Sequence, residues 1–166
     1  MSARRSSALV YWAVGAFCAV MFLVSLLVHE LCHAIAARSC GLEAGRITQW
    51  LLGGATELPE DPPTPIAAFL VAGAGPAASL LLGGVFLGAA VLLASSLPAV
   101  VVVALTWLGW TNGMLALFNL LPGVPLDGGR IAEAIAWKIT GDRSHARRAA
   151  GQSGRVLAAA LVGMGL

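Results

Sequence analysis

The sequence predicts an all-α polytopic membrane protein: three full transmembrane helices, a partial C-terminal one, and a small β-hairpin after the first. Composition is the first reason, because 58% of the 166 residues are hydrophobic and only 11% are charged, against roughly 25% charged in soluble domains. The second reason is that the apolar residues form long runs, each at least the roughly 20 residues that cross a bilayer. The chain therefore predicts one membrane domain over residues 1–166.

The three predicted spans cover residues 8–37, 66–94 and 98–121. Only three residues separate the second from the third, so these two spans should form an antiparallel helical hairpin. Many glycines lie in the second span, Gly73 and Gly75 among them. Small residues let membrane helices approach closely, and we interpret these glycines as packing residues rather than parts of a site.

The segment between the first two spans predicts the β-hairpin. Residues 46–52 are of strand-forming type, Gly53-Gly54 follows, and residues 55–58 continue. A two-residue glycine linker between short strands is a hairpin signal. We therefore expect Gly53-Gly54 to form the turn.

The segment after the third span holds two prolines and three glycines between Pro122 and Arg130. Irregular backbone at membrane depth is tolerated only where protein buries it or where it lines a cavity. A short helix over 130–140 should follow, with Gly141 as its stop. We interpret the basic stretch from Arg143 as a solvated loop rather than a nucleic-acid site, followed by the partial span over 153–166.

The basic residues also predict the orientation of the chain. Five of them lie in the loop after the third span, and the positive-inside rule makes such a loop cytoplasmic. Counting back, we expect loops 41–65 and 122–152 of a multi-pass cell-membrane protein to be cytoplasmic.

His29, Glu30 and His33 lie inside the first apolar run. Residues i and i+4 share one helix face, so both imidazoles could bind one zinc ion per chain, with Glu30 beside it as general base. Ionisable groups inside a membrane are costly and indicate function. The competing interpretation is a packed histidine pair with Glu30 as its partner.

A third zinc ligand is expected to be Asp127, by elimination. His145 lies in the basic stretch, and Glu43, Glu57, Glu60 and Asp61 lie in a polar loop, whereas Asp127 is embedded in the Pro/Gly-rich segment at the end of a span. The alternative is that Asp127 caps the following helix, which would not exclude a metal role.

Together, residues 29–33 (His-Glu-Leu-Cys-His) and 119–129 (Asn-Leu-Leu-Pro-Gly-Val-Pro-Leu-Asp-Gly-Gly) resemble the site-2 protease family of intramembrane zinc metalloproteases, in the bacterial and archaeal branch that often carries CBS domains. The resemblance implies zinc held by His29, His33 and Asp127, with Glu30 catalytic. It implies that Asn119 orients the substrate or the oxyanion. It also implies that the hairpin at Gly53-Gly54 pairs along its edge with an unwound substrate.

The resemblance implies an intramembrane endopeptidase that cleaves a transmembrane or membrane-anchored protein near the cytoplasmic face, in regulated intramembrane proteolysis. An anti-sigma or pro-sigma factor is the family-level expectation for the substrate. The lipid bilayer is the other expected partner, no nucleic acid is expected, and homo-oligomerisation stays open. The alternative function is a non-enzymatic membrane metal-binding or transport protein with the same ligands.

The sequence departs from the family pattern in three places. No span precedes the one with His29, and the apolar run after Arg155 ends at Leu166, so we expect a core cut from a longer protein. In the second span, Ser79 stands where the family often has asparagine after Gly-Pro, which keeps a polar group there.

Overall fold

The structure, a computed structural model, describes residues 2–42, 47–50, 53–56, 61–123 and 125–163. Within these ranges the elements in chain order are α1 (Ser2–Ser39), β1 (Ile47–Trp50), β2 (Gly53–Thr56), α2 (Pro65–Leu92), α3 (Ala99–Asn119), α4 (Asp127–Thr140) and α5 (Arg143–Gly163). The predicted all-α polytopic class is confirmed, since three helices are long and apolar enough to cross a membrane, over Ala8–Ser39, Pro65–Leu92 and Ala99–Asn119. The central helix is α2, which packs against α1, α3 and α4.

The C-terminal end of α1 and the N-terminal end of α2 are defined by local sequence. After α1, Gly41 adopts φ +78°, a left-handed conformation that glycine reaches without steric cost. There the Leu42 N–H donates to Ala37 O at 3.0 Å, and Leu42 joins Ala37 and Val71 in a buried apolar cluster. Thr64 caps α2 by accepting a hydrogen bond from the Ala67 N–H at 3.1 Å. These contacts set where α1 stops relative to α2.

Small residues bring α2 and α3 into close contact, as the sequence predicts for some of the glycines. A Cβ built on Gly83 would lie 3.1 Å from Gly109 O, and one built on Gly109 would lie 3.1 Å from Gly83 O. Backbones this close need glycine on both helices. The α2–α3 hairpin is therefore a closely packed pair, against which α1 packs.

The interior between α1 and α3 is a small apolar core of Cys18, Ala104 and Leu108. At its edge Phe22 and Trp107 pack edge to face, with ring centroids 6.3 Å apart. Most other large apolar side chains of the spans point outward, as expected for helices whose outer faces contact lipid tails rather than water.

The predicted β-hairpin, with Gly53-Gly54 as its turn, is wrong. Gly53 and Gly54 lie in β2, opposite Trp50 and Gln49 of β1 in an antiparallel pair. Residues 51–52, which connect the two segments, are outside the described residues. Strands of four residues, paired only with each other, are marginal on their own. The fold class is thus the all-helical bundle. The sequence predicts Gly53 and Gly54 at the turn, but they lie within β2.

The predicted C-terminal organisation also needs correction. The basic stretch expected as a loop is helical, because α5 begins at Arg143 rather than near residue 153, and it is not among the described helices that qualify as spans. Asp142 explains the start: Oδ1 accepts hydrogen bonds from the Ser144 N–H at 2.8 Å and the His145 N–H at 3.1 Å. Such capping favours a helix, and arginine and alanine are good helix formers. The predicted stop of α4 at Gly141 is confirmed, with φ 72°.

Candidate metal centre

His29 and His33 lie one turn apart on α1, and both side chains are buried. Their Nε2 atoms are 3.2 Å apart, and the two rings meet at an interplanar angle of 72°. The i, i+4 spacing therefore brings two imidazole nitrogens to one point inside a membrane-spanning helix, as the sequence predicts.

Asp127 completes this cluster from a segment 98 residues further along the chain. Its Oδ2 lies 3.2 Å from His29 Nε2 and 3.3 Å from His33 Nε2. The N-cap of α4 is Leu126, and Asp127 occupies the first turn of the helix. The capping alternative for Asp127 is therefore wrong, because its carboxylate faces the two imidazoles.

The turn between α3 and α4 makes this placement sterically possible. A Cβ on Gly128 would overlap the carbonyl oxygens of Leu120 and Leu121. Only glycine lets α4 start so close to the end of α3. Gly128 thus lets Asp127, its neighbour, reach back to the histidines on α1.

The three ligand atoms have the spacing that a tetrahedral ion requires. Zinc bonds of about 2.0–2.1 Å place neighbouring ligands about 3.3–3.4 Å apart, and the three separations here are 3.2, 3.2 and 3.3 Å. Gly75 of α2 faces the cluster, and a Cβ there would overlap Nε2 of both histidines. The donor set, the spacing and the space left by Gly75 all fit a zinc ion, and Gly75 is a site residue rather than only a packing residue.

Each histidine is oriented from behind through its Nδ1 atom. The His33 Nδ1–H donates to Val71 O at 2.7 Å, and since a carbonyl only accepts, Nε2 of the neutral ring keeps its lone pair. His29 Nδ1 lies 2.9 Å from Ser79 Oγ. Such outer contacts orient the ligands of metal sites.

Sequence reasoning noted Ser79 as polar without giving it this role, and it missed Val71. A serine one turn after Gly75 in an otherwise apolar helix was the available signal for Ser79. No signal existed for Val71, because it contributes a backbone atom. Pro76 lacks an N–H, so Ala72 O, next to the accepting carbonyl, has no donor at the i+4 position.

The charge state of Asp127 suits cation binding. Burial raises the pKa of its carboxyl, but before a metal binds, the side chains of His29 and His33 hydrogen-bond to it when their Nε2 atoms carry protons, and they lower the pKa to about 2. Asp127 is consequently ionised at neutral pH. Glu30 follows His29 on α1 and is 8% exposed, so a second carboxyl group is buried next to the cluster.

The predicted substrate contacts are not brought into this cluster by any contact among the described residues. Asn119 ends α3 and its Nδ2 donates to Leu115 O of the same helix at 2.9 Å. Gly53 and Gly54 lie in β2, which packs alongside α1. Their predicted role stays a prediction.

A multi-span helical bundle with a buried His-Glu-x-x-His helix and a convergent aspartate defines the class of membrane-embedded metalloproteases. Comparison with known proteins agrees: the family model described as Peptidase family M50 matches residues 17–102 and 94–162. The chain belongs to Peptidase family M50, a metalloprotease family.

Several relatives are named zinc metalloproteases. The chain is 49% identical over 160 residues to zinc metalloprotease Rip3 of Mycobacterium tuberculosis, covering 96% of this chain and 41% of the relative. It is 41% identical over 136 residues to a zinc metalloprotease of Synechocystis, covering 80% of this chain and 35% of the relative. The chain thus spans about two fifths of the length of these curated relatives.

A solved structure shows the same fold. The site-2 protease from Methanocaldococcus jannaschii superposes with a TM-score of 0.69 at 30% sequence identity, covering 93% of this chain and 68% of that one. The resemblance to the site-2 protease family, first indicated by the two motifs, is thereby confirmed.

Proposed function

We propose that the protein is an intramembrane zinc endopeptidase whose substrates are transmembrane or membrane-anchored proteins. The observation that carries the proposal is the convergence of His29, His33 and Asp127 at separations of 3.2–3.3 Å within a span that also holds Glu30. Family membership and the names of the relatives support it.

His29, His33 and Asp127 would hold one zinc ion per chain. When bound, zinc polarises the scissile carbonyl and lowers the pKa of a coordinated water. The chain supplies the remaining chemistry. Glu30 takes one proton from the attacking water and delivers it to the leaving amide nitrogen, so that one peptide bond and one water become a carboxylic acid and an amine, which then exchange a proton to give a carboxylate and an ammonium group.

The cut is proposed to fall near the cytoplasmic face. The cluster lies toward the C-terminal end of the span in α1, and Asp127 begins the helix that leads into the basic segment, which the positive-inside rule assigns to the cytoplasm. We propose regulated intramembrane proteolysis as the setting, with anti-sigma or pro-sigma factors as the substrate class. Asn119, Gly53 and Gly54 are proposed substrate contacts, since glycine lets an extended substrate backbone approach closely.

Glu30→Gln in the full-length protein tests this function. Cells that carry only this variant should lose the new N-termini that the wild type creates within membrane proteins, while the purified variant retains zinc by elemental analysis. Leu31→Ala is the matched control, because Leu31 is the next residue on α1 and is 44% exposed. If Glu30→Gln left those N-termini unchanged, the endopeptidase proposal would fail and the metal-binding or transport alternative would gain.

A further inference from the structure

A cavity of about 420 Å³ lies on α5, away from the metal centre. Arg143, Ser144, Arg147 and Arg148 line it, so its described walls hold three guanidinium groups and one hydroxyl, and that hydroxyl donates to Asp142 Oδ1 at 2.8 Å. Spacing explains the cluster, because Arg143 and Arg147, and likewise Ser144 and Arg148, are four residues apart and therefore neighbours on the surface of α5. An opening this basic is suited to an anion with several oxygens.

Two of the arginines are held in place from behind. Arg143 Nη2 lies 3.0 Å from Asp61 Oδ1, and its Cζ lies 4.8 Å from the centre of the Trp137 ring. Arg147 donates to Asp61 at 3.1 Å and to Glu133 at 3.3 Å. Exposed pairs of this kind add little stability, but they restrict the side chains and reduce the ordering needed when an anion arrives.

Arg148 differs from its neighbours. Its side chain is exposed, and its described hydrogen bond runs from Nη2 to Ser144 Oγ at 3.3 Å. Within the described part of the chain it joins none of the ion pairs. Arg148 therefore adds a charge to the cavity wall that none of the described ion pairs holds. Its electrostatic partner is Asp142, whose carboxyl pKa is lowered by hydrogen bonds from Ser144 and His145 and, to a smaller extent, by Arg148.

The cavity also lies close to the start of the second span. Arg143 Nη1 donates to Pro62 O at 3.4 Å, and Pro62 precedes Pro65, where the second span begins. Three residues extend at most about 11 Å. The guanidinium groups thus lie close to the end of a span, where lipid headgroups are found.

We propose that this cavity binds the phosphate of an anionic phospholipid. A lipid headgroup and a soluble ion could each present a phosphate to the arginines, as a monoanion or a dianion. The position of the cavity beside Pro65 favours the lipid. Guanidinium groups bind phosphate through paired N–H donors, and basic pockets beside spans bind acidic headgroups. Bound lipid would fix α4 and α5 against the bilayer independently of proteolysis.

The test uses the purified chain in detergent, titrated with phosphatidylglycerol or phosphatidylcholine and followed by native mass spectrometry. The wild type should retain phosphatidylglycerol in preference to phosphatidylcholine. Arg148→Gln should weaken phosphatidylglycerol retention about fivefold, the effect of one interfacial arginine. Lys138→Gln is the control, since it removes the same charge from an exposed position of α4 outside the cavity wall. It should change retention less than twofold.

Three results would overturn the proposal. Unchanged retention in Arg148→Gln would show that the cavity is not used, provided the thermal unfolding midpoint matches that of the wild type, as expected for an exposed residue outside the ion pairs. Equal losses in Arg148→Gln and Lys138→Gln would indicate diffuse surface attraction. If inorganic phosphate at the same concentration displaced the lipid completely, the cavity would be a site for a soluble anion.

Discussion

His29 is supported from α2 by Ser79, whose Oγ lies 2.9 Å from Nδ1 across a separation of 50 residues in sequence. When Nε2 of a neutral imidazole binds a metal, Nδ1 carries the proton and donates it to a neighbouring acceptor. The Ser79 hydroxyl supplies that acceptor in a helix that is otherwise apolar at this level. The metal centre therefore depends on how α1 and α2 are packed.

Ser79→Ala should weaken zinc binding about 10- to 100-fold, because loss of a group that orients a metal-bound histidine has effects of that size. Competition with a chelator of known zinc affinity measures it. Ser25→Ala is the control, since Ser25 is also buried in a span but donates to Met21 O of its own helix. Equal zinc affinity in the wild type and Ser79→Ala would show that His29 needs no support from α2.

Gly75→Ala should abolish stoichiometric zinc binding, since its methyl group would overlap both ligating nitrogens. Gly73→Ala is the control on the same helix, because a Cβ at Gly73 meets nothing within 4 Å. Replacing glycine in a helix interior by alanine otherwise favours the helix by about 1 kcal/mol. Elemental analysis of both purified variants measures their zinc content. Full zinc content in Gly75→Ala would contradict the placement of α2 against the histidines.

Asp127→Asn should reduce zinc content sharply, whereas Asp142→Asn, which alters the cap of α5, should not. Acidifying the wild type from pH 7 to 4 should release zinc, because protons compete with the metal for the ligating nitrogens of histidine. Asp127 does not itself cause this loss of zinc, because its pKa is lowered to about 2 and its carboxylate remains ionised throughout this range. Zinc content that does not change between pH 7 and 4 would argue against histidine ligands.

The orientation of the chain can be tested with a single cysteine. Ser144→Cys in a background without Cys18, Cys32 and Cys40 should react with a membrane-impermeant thiol reagent from the cytoplasmic side, because Ser144 is exposed on α5. Intact and inverted vesicles separate the two sides. Labelling only from the opposite side would reverse the topology that the basic residues predict.

The spans and the histidine pair were predictable because each depends on a local pattern. An apolar run of sufficient length predicts a span, and the i, i+4 rule brings His29 and His33 together without knowledge of the rest of the fold. Asp127 could be selected by elimination, since few ionisable side chains lie next to a span. These inferences need almost no information about tertiary packing.

What sequence reasoning missed depends on contacts between elements. Gly75 resembles the other glycines of α2 until α1 is packed against it, and only then does its missing Cβ leave space at the metal centre. The Gly53-Gly54 pair fits a turn and a strand equally well, and the pairing of Trp50 with Gly53 decides between them. Charge density suggested a loop at Arg143, but the cap at Asp142 favours a helix there.

The second support of the metal centre, from Val71 O to His33, has a consequence for mutational scans. Side-chain substitution at position 71 leaves the carbonyl in place, so an alanine scan along α2 would detect Ser79 and pass over an equally direct contact. Replacing the Val71–Ala72 amide by an ester would weaken this acceptor without changing a side chain. One of the two contacts that orient the imidazoles is therefore made by the α2 backbone rather than by a side chain. Sequence variation at position 71 would reveal only how well that side chain packs.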